Sequence, residues 1–554
     1  MATTARSLEL TRTSAISRVY GFGSIFGKTI RDSRLAFIIA AGLLGGLSLV
    51  MGSAISSVFP TPEARTEVDK LIGGIPSAMV NFFGKPVGLG TLGGYLTWKY
   101  GLVFVISVSL WSILGLSSTL AGEASRGSLD LVAVTPYGKR RIAVEKVAAH
   151  VTMLVLALAF MAVMLTVSSN TFGDAALGDK IAPLSALGFA LWLAFIALFF
   201  GGLAFALAPL LGRAGAAGVS GIALAVLWSA NGLDLGPLAW LSPFHWTENH
   251  VALVGMYDWP ALAAVGVVAA LFLVIGFELF TRRDLGMTLG VGLPQLPAWV
   301  LGVRGPTSRA FGDQLPRALA WGIGLAVMGS MMASLAGSMA GQVQGDENLM
   351  RIIRTIFPNY DFASAGGFLQ LFAELFLIAA GFAAATLVSK WASDETGGRL
   401  EEVLATPLPR VRWLVSGAIA ALLGVVVFTV VYALGVAGGA SSGGIAVGDA
   451  LLGSASLGLY AAALIGIGVA IGGVWRTSLS AEIVAVLVIA TYLLDLLAPP
   501  LHLPDWVHQL ALTAHFGTPM LGQWDPVGVV ACLALAVGGT TVGAWGIGRR
   551  DIAR

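Results

Sequence analysis

Cysteine is nearly absent: Cys532 stands alone among 554 residues, which excludes an internal disulfide and any cysteine-built zinc cluster. Its apolar surroundings point to a thiol that serves as inert packing. Charge is scarce too, at 11% of residues against 56% hydrophobic, with a mean hydropathy of +0.85. No soluble domain has that balance, so the chain reads as an integral membrane protein. The six histidines are scattered, and His245 with His250 lack the third ligand that a metal site needs. No metal site is expected. Residues 1–33 hold no compact apolar core ahead of a small-residue cleavage site, so no cleavable leader is expected. Lys and Arg form no patch, which argues against a nucleic-acid partner.

The stretch GFGSIFGKT at 21–29 ends like a phosphate-binding P-loop. A P-loop places four residues between its first glycine and the Gly-Lys pair, so that backbone amides curve around phosphate. Gly21 leaves five and Gly23 leaves three. The alternative is an amphipathic interfacial helix, with Val19, Phe22, Phe26 and Ile30 on one face and Lys28 and Arg31 away from it.

Apolar runs long enough to cross a bilayer fall near 35–58, 100–120, 147–169, 185–210, 214–232 and 260–280. A second set falls near 318–340, 368–389, 413–437, 450–474, 479–497 and 527–547. The expected fold is therefore an all-α polytopic membrane protein of twelve spans. Positive charge stays in the cytoplasm, and with the N-terminus inside, the inner segments hold 25 of the 32 Lys and Arg. Both termini are thus expected to be cytoplasmic. Tryptophans mark the edges: Trp98, Trp240, Trp259, Trp506 and Trp524 outside, Trp391, Trp413, Trp475 and Trp545 inside.

The connection after span 2 reads AGEASRGSLDLVAVTPYGKRR, and that after span 8 reads ASDETGGRLEEVLATPLPRVR. They align without a gap at an offset of 271, with seven of 21 positions identical. Gly127, Leu129, Val132, Thr135 and Pro136 recur as Gly398, Leu400, Val403, Thr406 and Pro407. Glu123 and Asp130 recur as Asp394 and Glu401. Leu241-Ser242 matches Leu512-Thr513, and Arg282-Arg283-Asp284 matches Arg549-Arg550-Asp551. The chain is a tandem of two six-span halves in the same orientation. The expected segments are 1–33, cytoplasmic and interfacial; 34–284, the first half; 285–316, a cytoplasmic linker; and 317–554, the second half.

Leu129, Val132 and Ala133, like Leu400, Val403 and Leu404, fall at i, i+3, i+4, which gives each copy a narrow apolar stripe on a short helix. Each helix reads as a plug for a socket on a cytoplasmic partner. An acidic residue, glycine, an apolar helix with its own carboxylate, Thr-Pro and a basic residue together resemble the coupling segment of ABC-2 type (type V exporter-like) permeases. The whole chain is similar to the fused antibiotic-export permeases of actinobacteria, the group that includes tetronasin, polyketide and mycobacterial multidrug exporters. That resemblance implies a separately encoded ABC ATPase present as two copies, with ATP and Mg held there and no cofactor in this chain. The small hydrophobic or amphipathic substrate itself is not named by it. Pro409 and Glu402, where the first copy has Gly138 and Leu131, imply unequal engagement of the two segments.

The resemblance also places spans 2, 5, 8 and 11 along the route. Candidates there are Phe104, Ser107, Trp111, Trp228 and Asn231 in the first half, and Phe372, Glu374, Tyr492 and Asp495 in the second. Aromatics in spans usually pack or anchor, whereas a carboxylate at the bilayer centre costs about 3 kcal/mol and marks function. His150 on span 3 reads as hydrogen-bonded within the bundle. The expected role is the membrane subunit of an ATP-driven exporter in a bacterial cell membrane, with no catalytic residue of its own. An ion-coupled secondary transporter is the alternative, and a membrane enzyme lacks any convergent nucleophile or metal set.

Overall fold

The computed structural model describes residues 24–58, 61–63, 65–66, 80, 83–120, 138–232, 234–282, 305–345, 347–356, 360–497 and 504–550. Twelve helices there are long and apolar enough to cross a membrane. In order they are Ile25–Val50, Leu92–Thr119, Lys139–Thr171, Pro183–Arg213, Gly215–Gly232 and Trp259–Arg282, then Pro306–Gln344, Ala365–Thr396, Arg410–Gly443, Val447–Val474, Thr477–Asp495 and Pro526–Ile547. Each coincides with one of the twelve apolar runs; we number them spans 1 to 12. Several helices outrun the hydrocarbon at one end, span 7 most clearly, where Pro306 opens the helix well before the apolar run begins.

Span 1 shows what the GKT stretch is. Ser24 caps the helix, its Oγ accepting from Gly27 N–H at 3.0 Å, and Lys28 Nζ pairs with Asp32 one turn on at 2.7 Å. Gly27, Lys28 and Thr29 are the first turn of a helix that runs on into span 1 as Ile25–Val58, so the described part of the interfacial segment is continuous with the span. Glu145 of span 3 accepts from Phe26 N–H at 3.2 Å, setting a carboxylate against the helix N-terminus. Val19 and Phe22 lie outside the described residues.

The two halves use the same pairings. Span 1 runs parallel to span 3, tied by Ser168 Oγ donating to Leu49 O at 3.1 Å, and span 7 runs parallel to span 9. Span 4 packs on span 6 as span 10 packs on span 12. The seam of spans 7 and 9 is built from small residues at four-residue spacing, Gly435, Gly439 and Gly443 facing Ala326, Ser330 and Ala333. A Cβ at Gly439 would stand 2.0 Å from Ser330 O, so the backbones touch directly. In a lipid solvent such close approach, with its dispersion contacts, is what holds helices together. Spans 4 and 5 are separated by Gly212, whose φ of 70° and ψ of 177° only glycine adopts readily.

The face from which span 1 starts and span 12 ends is called the terminal face here. Opposite it, the connection between spans 5 and 6 folds as short helices Gly236–Leu241, Pro243–Trp246 and Ala252–Val254. Between spans 11 and 12 lie Asp505–His508, Leu512–His515, Pro519–Leu521 and a two-stranded antiparallel hairpin pairing Gly517 with Trp524. The repeated Leu-Ser and Leu-Thr pairs fall in these corresponding caps. Nearby, the connections after spans 1 and 3 are locked by Arg65 and Asp179, which meet at 2.6 Å with side chains 7% and 0% exposed. Asp179 also accepts from Leu92 N–H at 2.9 Å and Asp174 N–H at 3.0 Å, which compensates its desolvation.

His250 gives the first cap a pH limit. Its Nδ1 accepts from Asp258 N–H at 3.1 Å, and its Nε2 donates to Gly188 O at 3.4 Å. Burial holds its pKa below the usual histidine range, against the opposing pull of Gly188 and Asp258. The folded cap therefore prefers neutral His250, and the unfolded chain takes up the proton first as pH falls through about 6.5. The opening equilibrium of residues 242–258, read from hydrogen exchange after division by the intrinsic rate at each pH, is expected to rise from pH 7.5 to 5.5 in the wild type and to stay nearly level in His250→Gln. An equal rise in both proteins would remove His250 as the cause.

Candidate coupling face and transport route

On the terminal face, span 8 ends at Thr396 and span 9 begins at Arg410, with the short helix Leu400–Leu404 between them. Gly398 makes the entry at φ 70°, a left-handed turn that suits glycine. Leu400 is 2% exposed and Val403 and Leu404 are half-buried, whereas Glu401, Glu402, Ala405, Thr406 and Pro407 are exposed. The apolar stripe thus faces this chain. In this structure Leu400 is turned into the chain's own core and Val403 and Leu404 pack partly buried against it, while Glu401 and Glu402 point outward.

Beneath the short helix, the Trp391 and Trp413 rings stack at 5.5 Å with an interplanar angle of 27°. Trp413 Nε1 donates to Asp394 Oδ2 at 3.3 Å, and Lys390 pairs with Asp313 of span 7 at 3.4 Å. Asp394 therefore holds the start of span 9. Next to it, Glu395 meets Arg550 at 2.6 Å with both side chains 12% exposed, and Thr477 Oγ1 donates to Glu395 at 2.8 Å. Arg550 also donates to Trp475 O at 3.0 Å and its own carbonyl accepts from Arg410 at 3.1 Å. One ion pair thereby ties the ends of spans 8, 10 and 12 to the starts of spans 9 and 11. Glu395 escaped the sequence reading because its partner in the first copy is Ala124; the repeated Arg-Arg-Asp was the available signal.

The first copy, with Glu123, Gly127, Leu129, Asp130, Val132, Thr135 and Pro136, lies outside the described residues. Its flank is described: Arg140 approaches Glu278 of span 6 at 3.7 Å, and Arg141 pairs with Glu145 at 2.8 Å.

The route candidates of the first half are engaged in packing. Phe104 is 1% exposed and meets Phe189 edge-on at 5.9 Å. Trp111 meets His150 at 5.7 Å, and His150 Nε2 bonds Ser112 Oγ at 3.1 Å. Ser107 Oγ donates back to Val103 O at 2.7 Å, Trp228 is buried, and Asn231 lies half-buried near the end of span 5, its carbonyl accepting from Asp234 N–H at 3.1 Å.

The second-half candidates converge. Phe372 is fully buried between Phe368 at 5.1 Å and Phe83 at 6.4 Å, and Phe83 also touches Trp98 of span 2 at 5.5 Å, so aromatic rings join the halves. Glu374 accepts from Tyr360 Oη and from Gln370 Nε2, the latter at 3.3 Å. Gln370 Oε1 accepts from Met520 N–H at 3.1 Å, fastening the site to the second cap. Burial, then the charge and hydrogen bond of Glu374, then Asp495 and Tyr492, hold the Tyr360 hydroxyl far above the ordinary tyrosine range. Tyr360 was missed because it sits in a polar connection without periodicity.

Across the seam, span 2 contains a π-helical turn, Leu96–Tyr100, a form frequent at functional sites. Lys99 Nζ there donates to Tyr95 Oη at 3.0 Å and lies 5.4 Å from the Tyr95 and Tyr100 rings. Lys99 and Gln370 stand at matching places in the repeat. The opposite end of the seam is thus basic and aromatic on one side, acidic and aromatic on the other.

Comparisons with known proteins agree with this architecture. Residues 303–547 match the family model of the C-terminal domain of the multidrug efflux system permease Rv1217c. The multidrug efflux system permease protein Rv1217c of Mycobacterium tuberculosis is 29% identical over 526 residues, covering 91% of this chain and 90% of that protein. Along residues 303–547 this multi-pass membrane protein is thus similar to the Rv1217c C-terminal domain, and along nearly its entire length it is similar to that permease.

Proposed function

We propose that this chain is the membrane subunit of an ATP-driven efflux system in a bacterial inner membrane, exporting hydrophobic or amphipathic compounds. The observation that carries this reading is the short helix Leu400–Leu404, buttressed by stacked tryptophans and by the Glu395–Arg550 pair while Glu401 and Glu402 stay exposed. The excess of Lys and Arg on the terminal face supports a cytoplasmic placement of that face. A separate ATPase, as two copies carrying ATP and Mg, presses on this helix and on its counterpart after span 2. The Trp391–Trp413 stack passes the movement to spans 8 and 9, and the ion pair passes it to spans 10 to 12. The aromatic seam between the halves then opens toward the opposite face, where Glu374, Asp495 and Tyr360 meet the cargo.

Inside-out vesicles carrying this chain and the ATPase should accumulate an amphipathic dye with ATP, and a protonophore should not prevent it. Uptake that needs a proton gradient and no ATPase would support the ion-coupled alternative. In the same vesicles Glu374→Gln is expected to slow cationic dyes about tenfold relative to neutral ones, because a buried carboxylate favours a cation strongly. An unchanged cation-to-neutral ratio would leave Glu374 a structural group.

A further inference from the structure

Gln370 and Lys99 occupy the same place in the two repeats and do different chemistry there. In each half a short turn of the cap is seated on a glycine at the start of span 2 or span 8. A Cβ at Gly93 would stand 2.5 Å from Leu253 O, and one at Gly366 would stand 3.1 Å from Met520 O. The cap backbone is therefore held against the start of both spans. An ammonium carries three donors and no acceptor, whereas a primary amide carries both. Lys99 turns to Tyr95 Oη at 3.0 Å. Gln370, 4% exposed, uses both ends: Oε1 accepts from Met520 N–H at 3.1 Å, and Nε2 donates to Glu374 Oε1 at 3.3 Å. Met520 fixes which way the amide points, since a flipped amide would set N–H against N–H there.

Among the described residues the Glu374 carboxylate has two hydrogen-bond partners, Gln370 Nε2 on Oε1 and Tyr360 Oη on Oε2, and both are neutral. Its charge is therefore left for a cation. Each carboxylate oxygen accepts up to two hydrogen bonds, so each keeps a place for a donor from cargo. Hydrogen bonds favour the ionised form of a carboxylate, and a donor that brings no positive charge preserves the attraction for a cation. A lysine at 370 would sit one helical turn from Glu374 and cancel that attraction. Asp495 and Tyr492 of span 11 act electrostatically on or with Glu374, and Tyr492 in turn neighbours Tyr100 of span 2, which puts the carboxylate beside the seam between the halves. We propose that Gln370 is a positioning residue for cation selection, a role that rests on the reading of Glu374 as a group that meets cargo. It holds Glu374 ionised and oriented for a cationic compound, and it fastens that orientation to the second cap.

The test is KM and kcat for ethidium, a permanent cation, and for its neutral reduced form, dihydroethidium, in inside-out vesicles carrying the chain and the ATPase. Gln370→Met keeps the length without donor or acceptor, and is expected to raise KM for the cation about fivefold relative to the neutral dye. Gln370→Lys keeps a donor but adds charge, and should remove the cation preference by about tenfold, as Glu374→Gln does. The double variant Gln370→Lys with Glu374→Gln should lose no more than Glu374→Gln alone, because both changes act on one charge. A wild-type KM ratio in both folded Gln370 variants overturns the positioning role. Equal losses for the two dyes in kcat overturn it too, since fastening of the cap alone would act on both alike. If Glu374→Gln also leaves the ratio unchanged, the carboxylate reading itself has failed. A changed ratio there with none at Gln370 confines the failure to Gln370. If Gln370→Lys does not fold, Gln370→Met decides.

Discussion

Gly439→Leu is expected to yield no monodisperse protein. A Cβ there would lie 2.0 Å from Ser330 O, a backbone atom that cannot swing aside as a side chain can, and the flanking Gly435 and Gly443 approach Ala326 O and Ala333 O at 2.6 and 1.7 Å by the same measure. Relief requires spans 7 and 9 to separate along the seam, which removes the close contacts that pair them in lipid. Overpacking that forces side chains and backbone to shift costs about 1–3 kcal/mol, occasionally more. Leucine favours helix over glycine by roughly 1 kcal/mol, so propensity works in the opposite direction and cannot explain a loss. Gly438→Leu is the matched control, since a Cβ at Gly438 meets nothing within 4 Å. The measurement is size-exclusion profile and Tm in detergent for both variants. A Gly439→Leu protein with the wild-type profile and Tm would show that the seam does not hold the second half together.

The largest functional effect is expected from reversing the exposed charge on the short helix. Glu401→Lys with Glu402→Lys should leave Tm within a degree or two of wild type, because both residues are exposed and surface charges contribute about 0–1 kcal/mol. Against a basic partner surface the same change sets like charges together, a penalty of several kcal/mol. Copurification of the ATPase should fall about a hundredfold, and dye export with it. The loss should lessen as salt rises, since the contact is at an exposed rim. Leu400→Asp separates the two faces of the helix: it places a carboxylate where the side chain is now buried, so it should lower the Tm of the isolated chain before any partner is added. Full ATPase capture by the double charge reversal would move the docking surface elsewhere on the terminal face.

The number, length and approximate limits of the spans were legible because the bilayer sets a length that an apolar run must meet, and this requirement acts on each run by itself. The internal repeat was legible for a similar reason: two copies of one motif at a constant offset can be read without knowing what either touches. Periodicity over Leu400, Val403 and Leu404 correctly announced a helix with one apolar side. It could not say which way that side turns: Leu400 enters this chain's own core, and Val403 and Leu404 pack partly buried against it.

The route followed the same division. Composition singled out Glu374 and Asp495 as costly groups inside spans, a property of each residue in its own run of sequence. Tertiary structure alone brought Tyr360 and Gln370 to Glu374, set Phe83 between Trp98 and Phe372, and turned Phe104 and Trp111 into packing within their own half. Hydropathy and charge counts are local sums that one chain carries along its length, so the sequence determined topology. Which groups meet across a seam depends on how helices far apart in sequence rotate and pack, and only the folded arrangement of the two halves decided that.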